Sequence, residues 1–213
     1  MKKNLCLFIS FILLINCVNA QKTLIGLTAG ATFASYKVKA ESVSVTSKTK
    51  IGFTAGLTMS SPLGKNFTFR PSLNFVQKGG KQTDEGSSDK TTFNYIELPL
   101  NFVFKASTPK GMFFIGAGPS FGIGLSGKDK WEDGSESGSD DIKFGSGDDA
   151  DLKSLEAGIN VLAGYQFKGG FFVAANYDAG LSNIAPDDPQ FHTKYHNRYF
   201  ALRVGYMFSG KSK

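Results

Sequence analysis

Residues 155–167 read Leu-Glu-Ala-Gly-Ile-Asn-Val-Leu-Ala-Gly-Tyr-Gln-Phe. Leu155, Ile159, Val161, Tyr165 and Phe167 occupy odd positions, while Glu156, Asn160 and Gln166 occupy even ones, with Leu162 the exception. Successive side chains of a strand point to opposite faces, so this run is a strand with one apolar and one polar face. Seven further runs alternate in the same way, over 23–35, 50–60, 67–78, 92–105, 111–125, 171–181 and 197–208. Most have the length of a tilted strand that crosses a bilayer, about 9–11 residues.

Alternation alone does not say which face is outside. A soluble lipocalin-like barrel also alternates, with its apolar face inward. Two features favour a membrane barrel. The polar face is built from Gly, Thr, Ser and Asn with few Lys, which suits the crowded lumen of eight strands better than a face in water. The connections also alternate in length. Those at 60–66, 106–110 and 168–170 are short, and those at 36–49, 79–91, 126–151 and 182–196 are long. Outer-membrane barrels have short periplasmic turns and long external loops. The expected fold is all-β: an eight-stranded antiparallel up-and-down transmembrane β-barrel spanning 21–213. Pro71 and Pro119 fall inside strands, where local bulges are expected.

The N-terminus carries an export signal. Lys2 and Lys3 precede an 11-residue apolar run from Leu5 to Ile15, and Val18-Asn19-Ala20 supplies a cleavage site, so residues 1–20 read as a signal peptide cut after Ala20. The run is shorter than the ~20 residues of a spanning helix. Cys17 in Leu14-Ile15-Asn16-Cys17 is an alternative lipoprotein acceptor, although Asn16 is a poor residue for such a box. The two cysteines, Cys6 and Cys17, both lie in the leader, which leaves the exported part without disulfide, thiol nucleophile or Cys-ligated metal.

The chain carries a net charge of +6, unevenly spread. Residues 128–151 hold nine Asp or Glu against three Lys. This Gly/Ser-rich stretch reads as a solvated external loop. No Arg-rich helix or aromatic ribonucleoprotein motif is present, which argues against a nucleic-acid partner.

Three constellations carry candidate chemistry. Arg70, Lys78, Glu97, Lys105, Glu156, Asp178 and Arg203 fall on the polar face and would point into the lumen. Charges in so narrow a barrel need partners, and Arg70 with Glu97 or Arg203 with Glu156 would form a structural plug; the sharper alternative is a proton or ion path. Asp129 and Asp133, followed by Gly134 and Asp140, loosely echo a calcium loop, but Trp131 stands where an oxygen ligand belongs. His192 and His196 lie four apart beside Asp187 and Asp188, yet Thr193 replaces the glutamate of a zinc-protease motif. Ser182 is the candidate partner of His196 in a lipid hydrolase, though no spacing supports the pair.

The segment Asn94-Tyr95-Ile96-Glu97-Leu98-Pro99-Leu100 resembles the fourth-strand signature of the PorT-like outer-membrane β-barrel family. Arg70-Pro71-Ser72-Leu73, Gly116-Ala117-Gly118-Pro119 and Tyr177-Asp178-Ala179-Gly180-Leu181 extend the resemblance over nearly all of the exported chain. It implies an eight-stranded barrel in the outer membrane of a Gram-negative cell. Family members are mostly without assigned function, the namesake takes part in protein secretion, and no catalytic residues carry over. Where that family often has an acidic residue on the third strand, this chain has Ser72.

The sequence thus points to a non-enzymatic barrel without cofactor, embedded in outer-membrane lipid and meeting an envelope protein partner through its external loops. A narrow pore, a soluble lipocalin-like carrier and a barrel lipid hydrolase are the alternatives.

Overall fold

A computed structural model describes residues 23–40, 43–84, 86–147, 149–186 and 193–208. The leader, its cleavage point, His192, Asp187 and Asp188 lie outside these residues. Twelve strands follow in chain order: β1 Leu24–Ala40, β2 Val43–Thr46, β3 Lys50–Pro62, β4 Phe67–Asp84, β5 Ser87–Thr108, β6 Gly111–Asp133, β7 Glu136–Ile142, β8 Phe144–Gly145, β9 Leu152–Lys153, β10 Leu155–Phe167, β11 Phe171–Gly180 and β12 Thr193–Phe208. Eight of them close a ring in the order β1, β3, β4, β5, β6, β10, β11, β12. Each pairs antiparallel with its neighbour in sequence, and β12 returns to β1 from Ile25↔Phe208 to Ala40↔Thr193. This is the expected up-and-down meander.

The burial pattern is that of a globular protein turned inside out. Ile51, Phe102, Phe113 and Leu155 are 68%, 58%, 59% and 71% exposed, while Asn74, Lys78 and Glu97 are 0–1% exposed. A soluble carrier would reverse these faces. At the short-turn end the outward wall is rich in aromatics, with Tyr165 edge-on to Phe113 and Phe167 and Tyr206 against Phe208. Aromatic girdles of this kind mark a membrane–water interface. The exclusion of a soluble carrier therefore rests on which side of the wall the large apolar residues occupy.

Two sequence expectations require correction. The stretches 36–49, 79–91 and 126–151 are not mainly loop, and in the first of them β1 runs on to Ala40 and pairs with β2 from Lys37↔Thr46 to Ala40↔Val43. β4 and β5 continue their ladder to Asp84↔Ser87, and β6 runs on to pair with β7 from Gly127↔Ile142 to Asp133↔Glu136. These parts form a four-stranded ribbon beyond the apolar band. Its tips turn at Gly86 and Gly134, whose positive φ values of 82° and 59° suit glycine. The alternation fades there because neither ribbon face is apolar, so the hydrophobic period carries no strand signal.

The bulge also lies elsewhere. The register between β4 and β5 is the same on both sides of Pro71, and Pro119 stays in register opposite Ile159. A proline removes one donor but need not add a residue. The shift between β5 and β6 falls at Asn94 and Tyr95, which pair with Ser126 and Gly124 and leave Leu125 without a partner.

A charge on the outer wall tests the inverted burial. Val161, midway along β10, faces outward. Val161→Arg should destabilise the barrel in lipid vesicles by about 2–4 kcal/mol, the cost of Arg near the bilayer midplane. Urea titration of vesicle-folded protein measures this, and a neutral effect would place that wall in water.

Candidate functional site: the lumen and its external cover

Inward positions of the ring carry polar side chains in its middle and apolar ones at both ends. Near the short turns, Val103, Phe114, Leu162, Phe172 and Met207 form a buried cluster. The Arg70 guanidinium lies 4.4 Å above the Phe114 ring. At the opposite mouth, Tyr36, Phe93, Tyr95, Leu152 and Ile184 form a second cluster. Phe144 of β8 meets Phe93 and Tyr95 edge-on, at centroid distances of 5.8 and 5.4 Å. Part of the acidic stretch therefore folds back over the lumen, held by the parallel pairing of β8 with β9.

Between the clusters lies a charge network centred on Lys78. Its ammonium stands 3.0 Å from Glu97 Oε1 and 3.0 Å from Glu156 Oε2. It also lies 4.6 Å from the centre of the Tyr95 ring. The Tyr199 hydroxyl donates to Glu97 Oε2. Asn197 Nδ2 donates to Glu156 Oε2 at 3.4 Å and to the Tyr95 hydroxyl at 3.4 Å. Asn160 Nδ2 donates to Asp178 Oδ2 at 3.3 Å and accepts at Oδ1 from Asn101 Nδ2 at 3.2 Å. In the middle of the lumen, buried Arg70, Lys78 and Arg203 balance buried Glu97, Glu156 and Asp178, and Lys50 is buried nearer the external mouth at the start of β3.

The expected Arg–Glu pairs are replaced by Lys78. Arg70 stands opposite Asn101, nearer the short turns than Glu97, which stands opposite Asn74. Its Nη2 donates to Gln166 Oε1 at 3.4 Å, and Arg203 Nη2 donates to the Tyr199 hydroxyl at 3.5 Å. A compact ammonium on a flexible stem fits between carboxylates from two strands where a planar guanidinium does not. Lys78 appeared in the sequence as one lumen charge among seven, and nothing in its spacing marked it as the centre.

The network is not fully saturated. Arg70 Nε, Arg203 Nε and Asn101 Oδ1 are buried without a protein partner. These three residues border one cavity of about 30 Å³, on the order of the room one water needs. A cavity of this size has room for one water beside these atoms and is far smaller than an aqueous channel.

The calcium candidates are spread along a ladder instead of wrapped in a loop. Asp129 and Asp133 lie four residues apart on β6, roughly 13 Å in an extended strand. Asp129 stands opposite Asp140 and accepts from Thr91 Oγ1 at 3.0 Å, while Asp133 stands opposite Glu136. Among the described residues, no three His, Cys, Asp or Glu side chains gather as a metal site. His196 pairs across the seam with Lys37, and the Ser182 hydroxyl accepts from the Ala157 amide at 2.8 Å. Lys105 stands opposite Phe114 toward the short turns.

A closed antiparallel ring with an apolar outer wall and a charge-neutralised interior defines an outer-membrane β-barrel. The chain belongs to the family described as outer membrane protein beta-barrel domain, whose model matches residues 19–185. No curated protein matches it in sequence. Solved structures similar to it include Ail, the attachment invasion locus protein of Yersinia pestis, at 15% identity and TM-score 0.43, covering 88% of this chain and 100% of that one. Neisserial surface protein A matches at 11% identity and TM-score 0.47, with 88% and 100% covered. OprG from Pseudomonas aeruginosa matches at 12% identity and TM-score 0.47, with 88% and 96% covered.

Removing the hub tests the network. Lys78→Met should cost about 3–5 kcal/mol, because it leaves two buried carboxylates without their cation. The combination Lys78→Met, Glu97→Gln and Glu156→Gln should recover most of that loss. Unfolding in vesicles reports both. A harmless Lys78→Met alone would show that the network does not hold the lumen together.

Proposed function

We propose that this barrel is a non-catalytic membrane anchor that binds another envelope protein through its external ribbon. The closed lumen carries the reading. The spanning interior is occupied by the Lys78 network, with an apolar cluster below it and an aromatic cover above it. A barrel without a wide passage has its external surface to offer, and the longest strands, β5 and β6 at 22 and 23 residues, extend well beyond what a bilayer requires. Ordered strands present side chains in a fixed array, which lowers the entropy lost when a partner binds.

The PorT-like motif around Tyr95 and Glu97 supports a place among envelope components involved in secretion or assembly. Export through a leader cut after Ala20 belongs to the same proposal. The acidic ribbon tip, with Asp133 opposite Glu136, is the surface for such a partner.

A photoreactive residue in place of Glu136 tests this in cells at native expression. It should crosslink reproducibly to one envelope protein, whereas the same residue in place of Lys65, on a short turn, should not give that product. The purified barrel should show no step conductance in a planar bilayer. Stable conductance steps together with recovery of the uncrosslinked barrel would replace this reading with the narrow pore.

A further inference from the structure

Residues directly opposite on an antiparallel ladder share a face. In the external ribbon Lys81 stands opposite Lys90, and Lys90 opposite Lys130. Lys48 bridges to Lys81 from the other side. Four exposed lysines thus form one row across four chain segments. Like charges directly opposite weaken a ladder, so the arrangement calls for an anion.

Most acidic residues of the ribbon occupy the other face. Asp89 stands opposite Trp131, and Asp129 opposite Asp140, both one position out of phase with the lysine row. The unpartnered Leu125 produces this segregation on β6. Its extra residue shifts the alternation so that Lys128 and Lys130 point outward and Asp129 points inward. Among the described residues of the ribbon, Glu132 and Asp141 are the carboxylates on the lysine face, and Asp141 lies 3.3 Å from Lys128.

The lysine face continues the lipid-facing wall. On β5, Lys90 shares its side with Ile96, and on β4 Lys81 shares its side with Phe75. Across the seam the same wall continues beyond Phe33 and Phe200 with Lys37 and Arg198. Positive charge is therefore concentrated immediately above the apolar band, on the side that faces the membrane.

We propose that the row Lys48, Lys81, Lys90 and Lys130 binds the phosphate groups of the outer-leaflet lipid. Charge complementarity selects the anion, and continuity with the apolar wall selects a lipid headgroup as its source. The site would hold the ribbon against the leaflet while its acidic face and tip remain free. It is independent of whether an envelope protein binds that tip.

The test uses the full chain folded in uncharged detergent, with diphosphorylated lipid A and the same lipid A after dephosphorylation as probes. The native protein should bind the phosphorylated probe. The Lys81→Gln, Lys90→Gln, Lys130→Gln combination should bind it roughly a hundredfold more weakly, about fivefold for each lysine removed. Heat-modifiable migration on gels would show that the variant is folded, and the corresponding Arg combination should retain binding. Equal binding of the dephosphorylated probe, or unchanged affinity of the Gln combination, would overturn the proposal. Displacement of lipid A by inorganic phosphate at low concentration would overturn it as well, by assigning the row to a soluble anion.

Discussion

The hydrocarbon core of a membrane offers no hydrogen bonds, so every amide and carbonyl that crosses it must find a partner within the protein. Closure of the ring meets this constraint, and the rest of the structure depends on it. The seam between β1 and β12 pairs continuously from Ile25↔Phe208 to Ala40↔Thr193. Without that seam two edges would face lipid, each with a row of unsatisfied groups. Closure also fixes the side-chain arrangement. Once eight strands surround a narrow axis, each inward residue shares a confined interior with residues from distant parts of the chain, as Lys78 does with Glu156.

That confinement explains the composition of the lumen. Gly, Thr, Ser and Asn fill most inward positions, and the charges that remain are balanced. The energetic role of such a network is to avoid a penalty. Buried ions in low dielectric are tolerated when paired and hydrogen-bonded, but they do not outperform well-packed apolar side chains. The apolar clusters at either end contribute burial, while the central network satisfies the charges held between them.

Much of this was legible in the sequence because one physical signal dominates it. Alternation located all eight ring strands and separated their two faces, since a lipid-facing wall needs an apolar residue at every second position, while the small polar residues of one face and the unequal connections told inside from outside. The signal ended where lipid ended. Ser87 to Thr91 and Ser137 to Asp141 are strands with polar residues on both faces, and their composition resembles a loop. The lumen residues were identifiable from their parity, but their partners were not. Lys78 meets Glu156 through closure of the ring, 78 residues further along the chain, and no local spacing encodes that contact. Phe144 and Leu152 could have been singled out as isolated apolar residues in an acidic stretch, which are poorly placed in a fully solvated loop.

The unpaired Leu125 makes chain length itself a determinant of surface charge. Strand register has a period of two, so a one-residue deletion there would exchange the two sides of β6 beyond it. Lys128 and Lys130 would turn toward the mouth, and Asp129 and Trp131 toward the membrane. In lineages that gain or lose one residue at this point, β6 would exchange its basic outer side for an acidic one in a single step, while the spanning ring below kept its sequence and its pairing.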